Sequence, residues 1–426
     1  MYIPRVPIAP ELFTEAQPFP QLAALLRRGR ELPLYREHLA RYERDDWDCF
    51  QKLPLLGKNA IRENFPQNFL GDQAILDALL AQNLIELEHT SGTTSERLPV
   101  IFARGWWDAQ EQRALRLNAF ATTILNEFPA ARRATITSPA CNGLTCPTVW
   151  MSREQRIIGS ALFVNLQRIP FLLSEAELER MATEIAEWQP IFLDTDPVHA
   201  VWFARYCERR GLKFPSLKFI LGSYEFVSAV HKKILTRVFG VPVLNLYGST
   251  ETGHLLMENT GGEMQRSEAT AFLEVVDADA RGIGDLIVTT LSNDYMPLLR
   301  YRIGDLSEKI PTPDGPRYIV HGRAKDALLA ADGSRVTTWD VDRCFRDADG
   351  FMHYEIRQNE DGNCALRFIP DVVTPSEETL RQVTARLEAL LQTPEKISVE
   401  AMPTLVPTAS GKFRLTCRVL PDKVAA

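Results

Sequence analysis

Between Ser174 and Leu193 the chain spells out one complete helix-then-strand unit, which restricts the fold more than any other stretch. Ser174-Glu-Ala-Glu177 has the capping-box pattern, in which a serine hydroxyl and a glutamate three residues later satisfy orphan backbone donors. Leu178, Met181, Ile185 and Trp188 then recur at helical spacing on one face. Pro190 stops the helix, because it has no N–H and its ring clashes with the preceding turn. Ile191-Phe-Leu193 follows as a buried strand. Similar apolar runs recur at Phe219-Ile-Leu221, Val241-Pro-Val-Leu-Asn-Leu246 and Leu286-Ile-Val-Thr-Thr290. Strands alternating with amphipathic helices predict an α/β fold built on mostly parallel sheets.

The texture changes after residue 322. Met352-His-Tyr-Glu-Ile356 and Cys364-Ala-Leu-Arg-Phe-Ile369 read as strands around an Asn-Glu-Asp-Gly turn at 359–362. Thr374-Pro-Ser-Glu377 reads as a second capping box with proline at the first helical position. Leu380, Val383, Leu387 and Leu390 give the helix that follows its buried face. The expected organisation is a large N-terminal domain, 1–322, and a small, mobile C-terminal α+β domain, 323–426. No internal repeat interrupts either part.

With 45% hydrophobic and 24% charged residues, the 426-residue chain is ordinary globular material with ample length for a large core. Forty-eight basic against 55 acidic residues leave a net charge of −7, which argues against a nucleic-acid surface. No apolar run approaches the ~18 residues that span a bilayer, and the start lacks a secretory pattern, so no membrane partner is expected and a cytoplasmic location is. The odd number of cysteines, 7, scattered over a long chain, reads as reduced thiols. Cys141 and Cys146 lack the second pair that a zinc site needs.

Five short segments carry the chemistry. Thr90-Ser91-Gly92-Thr93-Thr94 follows the apolar run Leu84-Ile-Glu-Leu87, and its hydroxyls and glycine-freed amides suit phosphate oxygens. Tyr247-Gly248-Ser249-Thr250-Glu251 follows a strand, at the carboxyl edge where α/β sheets bind ligands. Tyr301-Arg-Ile-Gly-Asp305 offers a carboxylate suited to two ribose hydroxyls, and Gly322-Arg323-Ala-Lys-Asp326 ends on a candidate hinge. Val406-Pro-Thr-Ala-Ser-Gly-Lys-Phe-Arg414 presents Lys412 on a Ser-Gly turn. Taken singly, most of these are ordinary turns. Arg302 serves equally well as a structural ion-pair partner.

In this order the five resemble the signature of the adenylate-forming superfamily: acyl-CoA synthetases, peptide-synthetase adenylation domains and luciferases. The N-terminal segment Leu53-Pro-Leu-Leu-Gly-Lys58, followed by Ile61-Arg-Glu-Asn-Phe-Pro66, is similar to the phenylacetate–CoA ligase branch. The resemblance implies ATP and Mg²⁺ as cofactors and a carboxylic acid, usually aromatic in that branch, as substrate. It implies that Thr90 to Thr94 grip the triphosphate, Tyr247 flanks adenine, Thr250 contacts the α-phosphate, and Glu251 holds the metal. Ser223 and Glu225 would lie beside adenine, and Asp305 and Arg323 on the ribose. Lys412 would stabilise adenylate formation, and the small domain would turn about Asp326 before CoA or an acyl carrier protein's phosphopantetheine takes the acyl group. A homodimer is allowed for.

Two departures stand out. Glu96 occupies the place of a common lysine in the phosphate loop, with Arg97 as substitute, and Leu329 replaces another frequent lysine. Two other readings therefore stay open: adenylylation of a phenolic hydroxyl without a thiol step, and a nucleotide-binding relative without turnover. His89, His199, His254 and His321 have no assigned role, and Cys141-Asn-Gly-Leu144 reads as a loop.

Overall fold

The computed structural model describes residues 21–90, 97–139, 151–393, 397–408 and 410–418. The first described stretch is a string of short helices: α1 (Leu22–Glu31), α2 (Pro33–Leu39), α3 (Trp47–Gln51), α4 (Lys58–Arg62), α5 (Gln67–Leu70) and α6 (Gln73–Ala81). Their apolar sides, Leu26, Leu39, Phe50 and Ile61 among them, are fully buried in one cluster with Leu286, Leu299 and Tyr301. A hairpin of β1 (Ile85–His89) and β2 (Pro99–Ala103) follows, with His89 opposite Pro99 at its tip. Two helices, α7 (Trp106–Leu115) and α8 (Ala119–Glu127), lead into the main sheet.

The parallel unit contains β3 (Arg133–Ile136), β4 (Ile157–Ile158), β5 (Ala161–Phe163), α9 (Glu175–Trp188), β6 (Phe192–Thr195), α10 (Pro197–Arg210), β7 (Phe219–Gly222), α11 (Ala229–Phe239) and β8 (Val243–Ser249). Strands β5, β3, β6, β7 and β8 lie side by side and parallel, with β4 antiparallel on the edge. The expected capping box at Ser174 forms, with both reciprocal bonds present. Leu178, Met181 and Ile185 are buried as their spacing requires, while Trp188 stays half-buried.

From β8 the same sheet continues antiparallel, through β9 (Gly253–Glu258), β10 (Met264–Arg266), β11 (Ala271–Val276), β12 (Ile283–Thr290), β13 (Tyr301–Ile310) and β14 (Arg317–Arg323). The order runs β11-β12-β13-β14-β10-β9-β8. Strands β8 and β13 are four steps apart in that order, about 19 Å at the usual ladder spacing if the sheet were flat. Yet the Tyr247 hydroxyl on β8 donates to Asp305 Oδ2 on β13 at 2.6 Å. This half of the sheet is therefore strongly curled and closes on its own side chains.

A short 3-10 turn, Ala324–Asp326, leads into the C-terminal α+β region. It holds β15 (Leu328–Leu329), β16 (Arg335–Val336), α12 (Thr338–Arg343), β17 (Phe351–Gln358), β18 (Cys364–Pro370), α13 (Glu377–Leu391), β19 (Ile397–Ala401) and β20 (Thr416–Arg418). Its four-stranded sheet has the order β19-β18-β17-β20. Phe345, Tyr354, Leu366, Val383, Leu387 and Leu391 form its core. Leu380 and Leu390 pack only partly against it, and Leu391 is fully buried on α13 alongside Leu387. The cap expected at Thr374 is displaced: Ser376 is the N-cap of α13 and accepts from the Thr379 amide. Pro375 instead packs on Gly350, where an added Cβ would sit 2.3 Å from the proline nitrogen.

Cys49, Cys207, Cys344, Cys364 and Cys417 are buried and free; Cys141 and Cys146 lie outside the described residues. Among the described residues, no helix is long and apolar enough to cross a membrane.

Candidate active site

Three strands bring the first cluster together. Asp305 on β13 lies opposite Arg323 on β14, and their side chains pair at 3.1 Å. The other Asp305 oxygen takes the Tyr247 hydroxyl, so both carboxylate oxygens are engaged while the group itself is buried. Burial and the neighbouring Asp305 charge push the Tyr247 phenol well above its ordinary range, which keeps it a donor. The Arg323 side chain is 39% exposed, and a second nitrogen donates to the Ile303 carbonyl at 3.2 Å. Glycine is required next door: at Gly322 (φ +95) a Cβ would meet Thr338 Oγ1 at 2.7 Å.

The Glu251 segment, which follows a strand as expected, turns into a hairpin. Tyr247, Gly248 and Ser249 are the last residues of β8, and Thr250 and Glu251 form the turn into antiparallel β9. At Gly248 an added Cβ would lie 2.2 Å from the Gly253 carbonyl oxygen, so only glycine lets the two strands close this tightly. Glu251 is buried, and its Oε1 accepts from the Tyr301 hydroxyl at 3.0 Å. Lys58 Nζ stands 3.5 Å from the same oxygen. Burial alone would raise this carboxyl. Lys58, the local backbone, Ser249 and Arg323 outweigh it and hold the group below its ordinary value.

Lys58 is the residue that motif reading missed as part of the site. It opens α4, and the residues just before it are fastened to β13: the Leu56 amide donates to the Arg300 carbonyl at 2.9 Å, and the Arg302 amide to the Leu56 carbonyl at 2.9 Å. Arg300 adds bonds to the carbonyls of Gln51 and Leu53. The sequence signal was the Leu-Gly-Lys58 segment itself, noted above only as a likeness.

The phosphate-loop residues Ser91, Gly92, Thr93, Thr94 and Glu96 lie outside the described residues. Their frame is defined: Thr90 Oγ1 accepts from the Leu98 amide at 2.9 Å, and the Thr90 amide donates to the Leu98 carbonyl at 3.0 Å. Arg97 is exposed where the loop rejoins β2.

Lys412 comes from the other side of the molecule. Its Nζ donates to the Tyr224 carbonyl at 2.8 Å, just past the carboxyl end of β7, and the Phe413 amide donates to Glu225 Oε1 at 2.8 Å. The Ser223–Glu225 segment is thus the seat of the lysine loop. Tyr224 adopts φ +68, a strained value for a bulky residue, and its hydroxyl donates to Asp194 at 2.8 Å. Burial and the Asp196 carboxylate push Glu225 well above its ordinary value, against the pull of Lys412.

The remaining candidates fall into place nearby. Asp326 pairs with Arg414 at 3.5 Å. Arg302 pairs with Asp285 at 2.9 Å and with Asp277 at 3.2 Å, which fits the structural reading. His254 is buried against Trp107, and burial lowers it to about 4. His199 sits beside the helix cap Asp196, and His321 meets Thr337 Oγ1 at 3.0 Å. His89 is exposed on β1. The Leu329 backbone is bracketed by two bonds to the Gln358 side-chain amide. The Cys141–Leu144 segment lies outside the described residues.

No protein-family model matches the chain. It is 24% identical over 358 residues to phenylacetate-coenzyme A ligase of Pseudomonas putida, an alignment covering 78% of this chain and 75% of that protein. Protein CapK of Staphylococcus aureus is 24% identical over 242 residues, 54% of this chain and about half (53%) of its own. Among solved structures, 2-hydroxyisobutyryl-CoA ligase in the postadenylation state superposes with a TM-score of 0.67 at 16% identity, over 94% of this chain and 88% of that one. In its thioesterification state the same ligase gives 0.53 at 16% identity, over 96% and 94%. Five motifs in order, a curled sheet that brings Tyr247, Asp305 and Arg323 together, and the sequence likeness along most of the chain make this protein similar to the CoA ligases of the adenylate-forming superfamily.

Proposed function

We propose that the protein activates a carboxylic acid with ATP as an acyl-adenylate and then passes the acyl group to the thiol of CoA or of a carrier-protein phosphopantetheine. One observation carries this reading. A lysine from the C-terminal region is held at the carboxyl end of β7, one strand away from the Tyr247 and Glu251 hairpin and its Asp305–Arg323 pair. The relatives support it, being named phenylacetate- and 2-hydroxyisobutyryl-CoA ligases.

In the first step an acid oxygen attacks the α-phosphorus, the α–β phosphoanhydride bond breaks, and pyrophosphate leaves. Lys412 supplies a cation where charge builds on the α-phosphate and the bridging oxygen, inside a site closed by the C-terminal region. Asp305 accepts from the ribose hydroxyls, with Arg323 and Tyr247 fixing its two oxygens. Glu251 fits a magnesium ion that arrives with ATP: it is buried yet ionised, and no cluster among the described residues could hold a metal without the phosphates. When bound, that ion neutralises phosphate charge.

In the second step the thiol sulfur attacks the acyl carbon, AMP leaves, and the thiol proton passes to solvent. Residues 323–426 are read as the mobile domain that turns about Asp326 between steps. The docked lysine and the better superposition on a postadenylation structure support an adenylation-side arrangement here. The substrate is read as an aromatic acid from the phenylacetate branch. ATP–pyrophosphate exchange over a panel of phenylacetate, benzoate, anthranilate and 2-hydroxyisobutyrate tests activation, and mass analysis of the product separates a thioester from a nucleotidyl ester. Exchange with no acid in a broad panel would overturn the reading.

A further inference from the structure

The seam between the C-terminal region and the parallel unit runs along α11. At its solvent-facing end lie surface ion pairs such as Lys233–Asp349, of the kind that contributes little. Buried polar contacts also cross the seam. Asp342, on α12, is buried, and its two carboxylate oxygens accept the amide of Ala229 at 3.1 and 3.0 Å. Ala229 is the first residue of α11, and its N–H is one of the donors a helix leaves unsatisfied within itself. The N-cap Ser228 spends its hydroxyl on His231 instead. One region of the chain therefore satisfies an orphan donor at the start of the other's helix, and a carboxylate there also meets the positive end of the helix dipole.

The Tyr354 hydroxyl, from β17, donates to the same carboxylate at 2.7 Å and fixes its direction. Beside it, His231 of α11 and His353 of β17 stack with their rings 5.3 Å apart and share a bond of 3.1 Å, both buried. Val230 belongs to the C-terminal region's apolar cluster. The segment that receives Asp342 starts only four residues beyond Glu225. Tyr224 and Glu225 are the residues that seat Lys412 and Phe413. The two contacts grip one short piece of chain, so the place of Asp342 on Ala229 sets the place of Lys412 on Tyr224.

We propose that Asp342 is a positioning residue for the adenylation step, holding Lys412 in register by capping α11 across the seam. This rests on the reading of Lys412 given above. When the C-terminal region turns for the thiol step, this cap breaks and Lys412 leaves with it.

The decisive variant is Ala229→Pro. Proline suits the first helical position, and Ser228 before it is already extended (φ −74, ψ 161), as a residue preceding proline must be. The change removes the donor and leaves the helix and the C-terminal core intact. Docking is read without any substrate, by small-angle scattering and by energy transfer between dyes placed at Gln112→Cys and Glu360→Cys. Function is read by ATP–pyrophosphate exchange with phenylacetate, and by thioester formation from supplied phenylacetyl-adenylate and CoA. Loss of a charge-assisted hydrogen bond should lower the docked population and the exchange rate about tenfold to a hundredfold. Thioester formation should be unchanged. Asp342→Ala should match it, and Asp342→Asn, which keeps an acceptor oxygen, should recover part of the loss. An Ala229→Pro protein that docks and exchanges like the parent overturns the proposal, as does equal loss in both half-reactions with docking unchanged. A parent protein without exchange activity would count against the proposed function, and the docking measurement would still decide the role of Asp342.

Discussion

Lys412 Nζ lies 2.8 Å from the carbonyl oxygen of Tyr224, a residue 188 positions earlier in the chain. The lysine is thus already delivered to the edge of the sheet. Lys412→Ala should slow adenylate formation about 10²- to 10³-fold, the usual cost of removing a contact to transition-state charge. Thioester formation from supplied acyl-adenylate should continue. Equal loss in both half-reactions, measured by exchange and by thioester release, would assign the lysine another role.

Asp305 is the acceptor that both Tyr247 and Arg323 orient. Asp305→Ala should weaken AMP and ATP binding alike, by about tenfold or more, since bonds to a charged acceptor contribute roughly 1.5–3 kcal/mol each. Tyr247→Phe removes one orienting bond and should cost less. Isothermal titration with AMP checks both, and unchanged affinity in Asp305→Ala would sink the ribose assignment.

Lys58 stands 3.5 Å from Glu251, the residue proposed to meet the magnesium ion, and on that proposal it serves the polyphosphate end of the site. Lys58→Met should weaken ATP binding while leaving AMP binding close to the parent value. Lys58→Arg should retain most of the ATP affinity. If ATP and AMP respond equally, the lysine only supports the fold around α4.

Proline at position 326 would fix φ near −65° and remove a donor, restricting rotation rather than chemistry. With Arg414 holding Asp326 in the present arrangement, the locked state should be the adenylating one. Asp326→Pro is therefore expected to keep pyrophosphate exchange and lose transfer to CoA. Transfer at the parent rate would rule out a hinge there.

Buried groups on the seam tilt stability in opposite directions with pH, His353 and His231 one way and Asp342 the other. Burial lowers His353 from 6.5 to about 4, so the folded protein binds fewer protons than the unfolded chain between those values, and stability falls with acidification. Burial raises Asp342 from 3.8 to about 6, so its contribution rises as pH falls through that range. In His353→Phe its own share of the acid-side loss should disappear, while that of His231, which burial also lowers, stays. Relative to the parent, the variant should be about 2–3 kcal/mol better placed at pH 4.5 than at pH 7. Urea unfolding at the two values checks the sign, and a pH-independent difference would mean that His353 is not held neutral.

The centre of the parallel half was legible because β6, β7 and β8 each follow a capped helix, and Ser174 and Pro190 mark the boundaries in local chemistry. The antiparallel half was not. Strands as short as Met264–Arg266 have no period to read, and only the Leu286–Thr290 run was apolar enough to register. The site divides the same way. Asp305, Glu251 and Lys412 stand in recognisable motifs, whereas Lys58 gains its meaning only through Leu56 lying against Tyr301, a pairing no local pattern encodes. At Thr374-Pro-Ser376 the motif put the cap on Thr374, whereas Pro375 lies against Gly350 and Ser376 caps the helix, a choice made by a tertiary contact.

The strap that Leu56 forms across Arg300 and Arg302 has a practical side. Tyr35 reinforces it, its hydroxyl donating to the Pro297 carbonyl and accepting from the Leu299 amide, both at 3.0 Å. The helices before β1 thus brace the strand whose tyrosine props up Glu251. A shortened protein beginning after α6 would keep all five motifs intact and lose the scaffolding beneath two of them. Trimming this protein to its recognisable signature would leave a chain that still reads as an enzyme and no longer has a floor for its nucleotide.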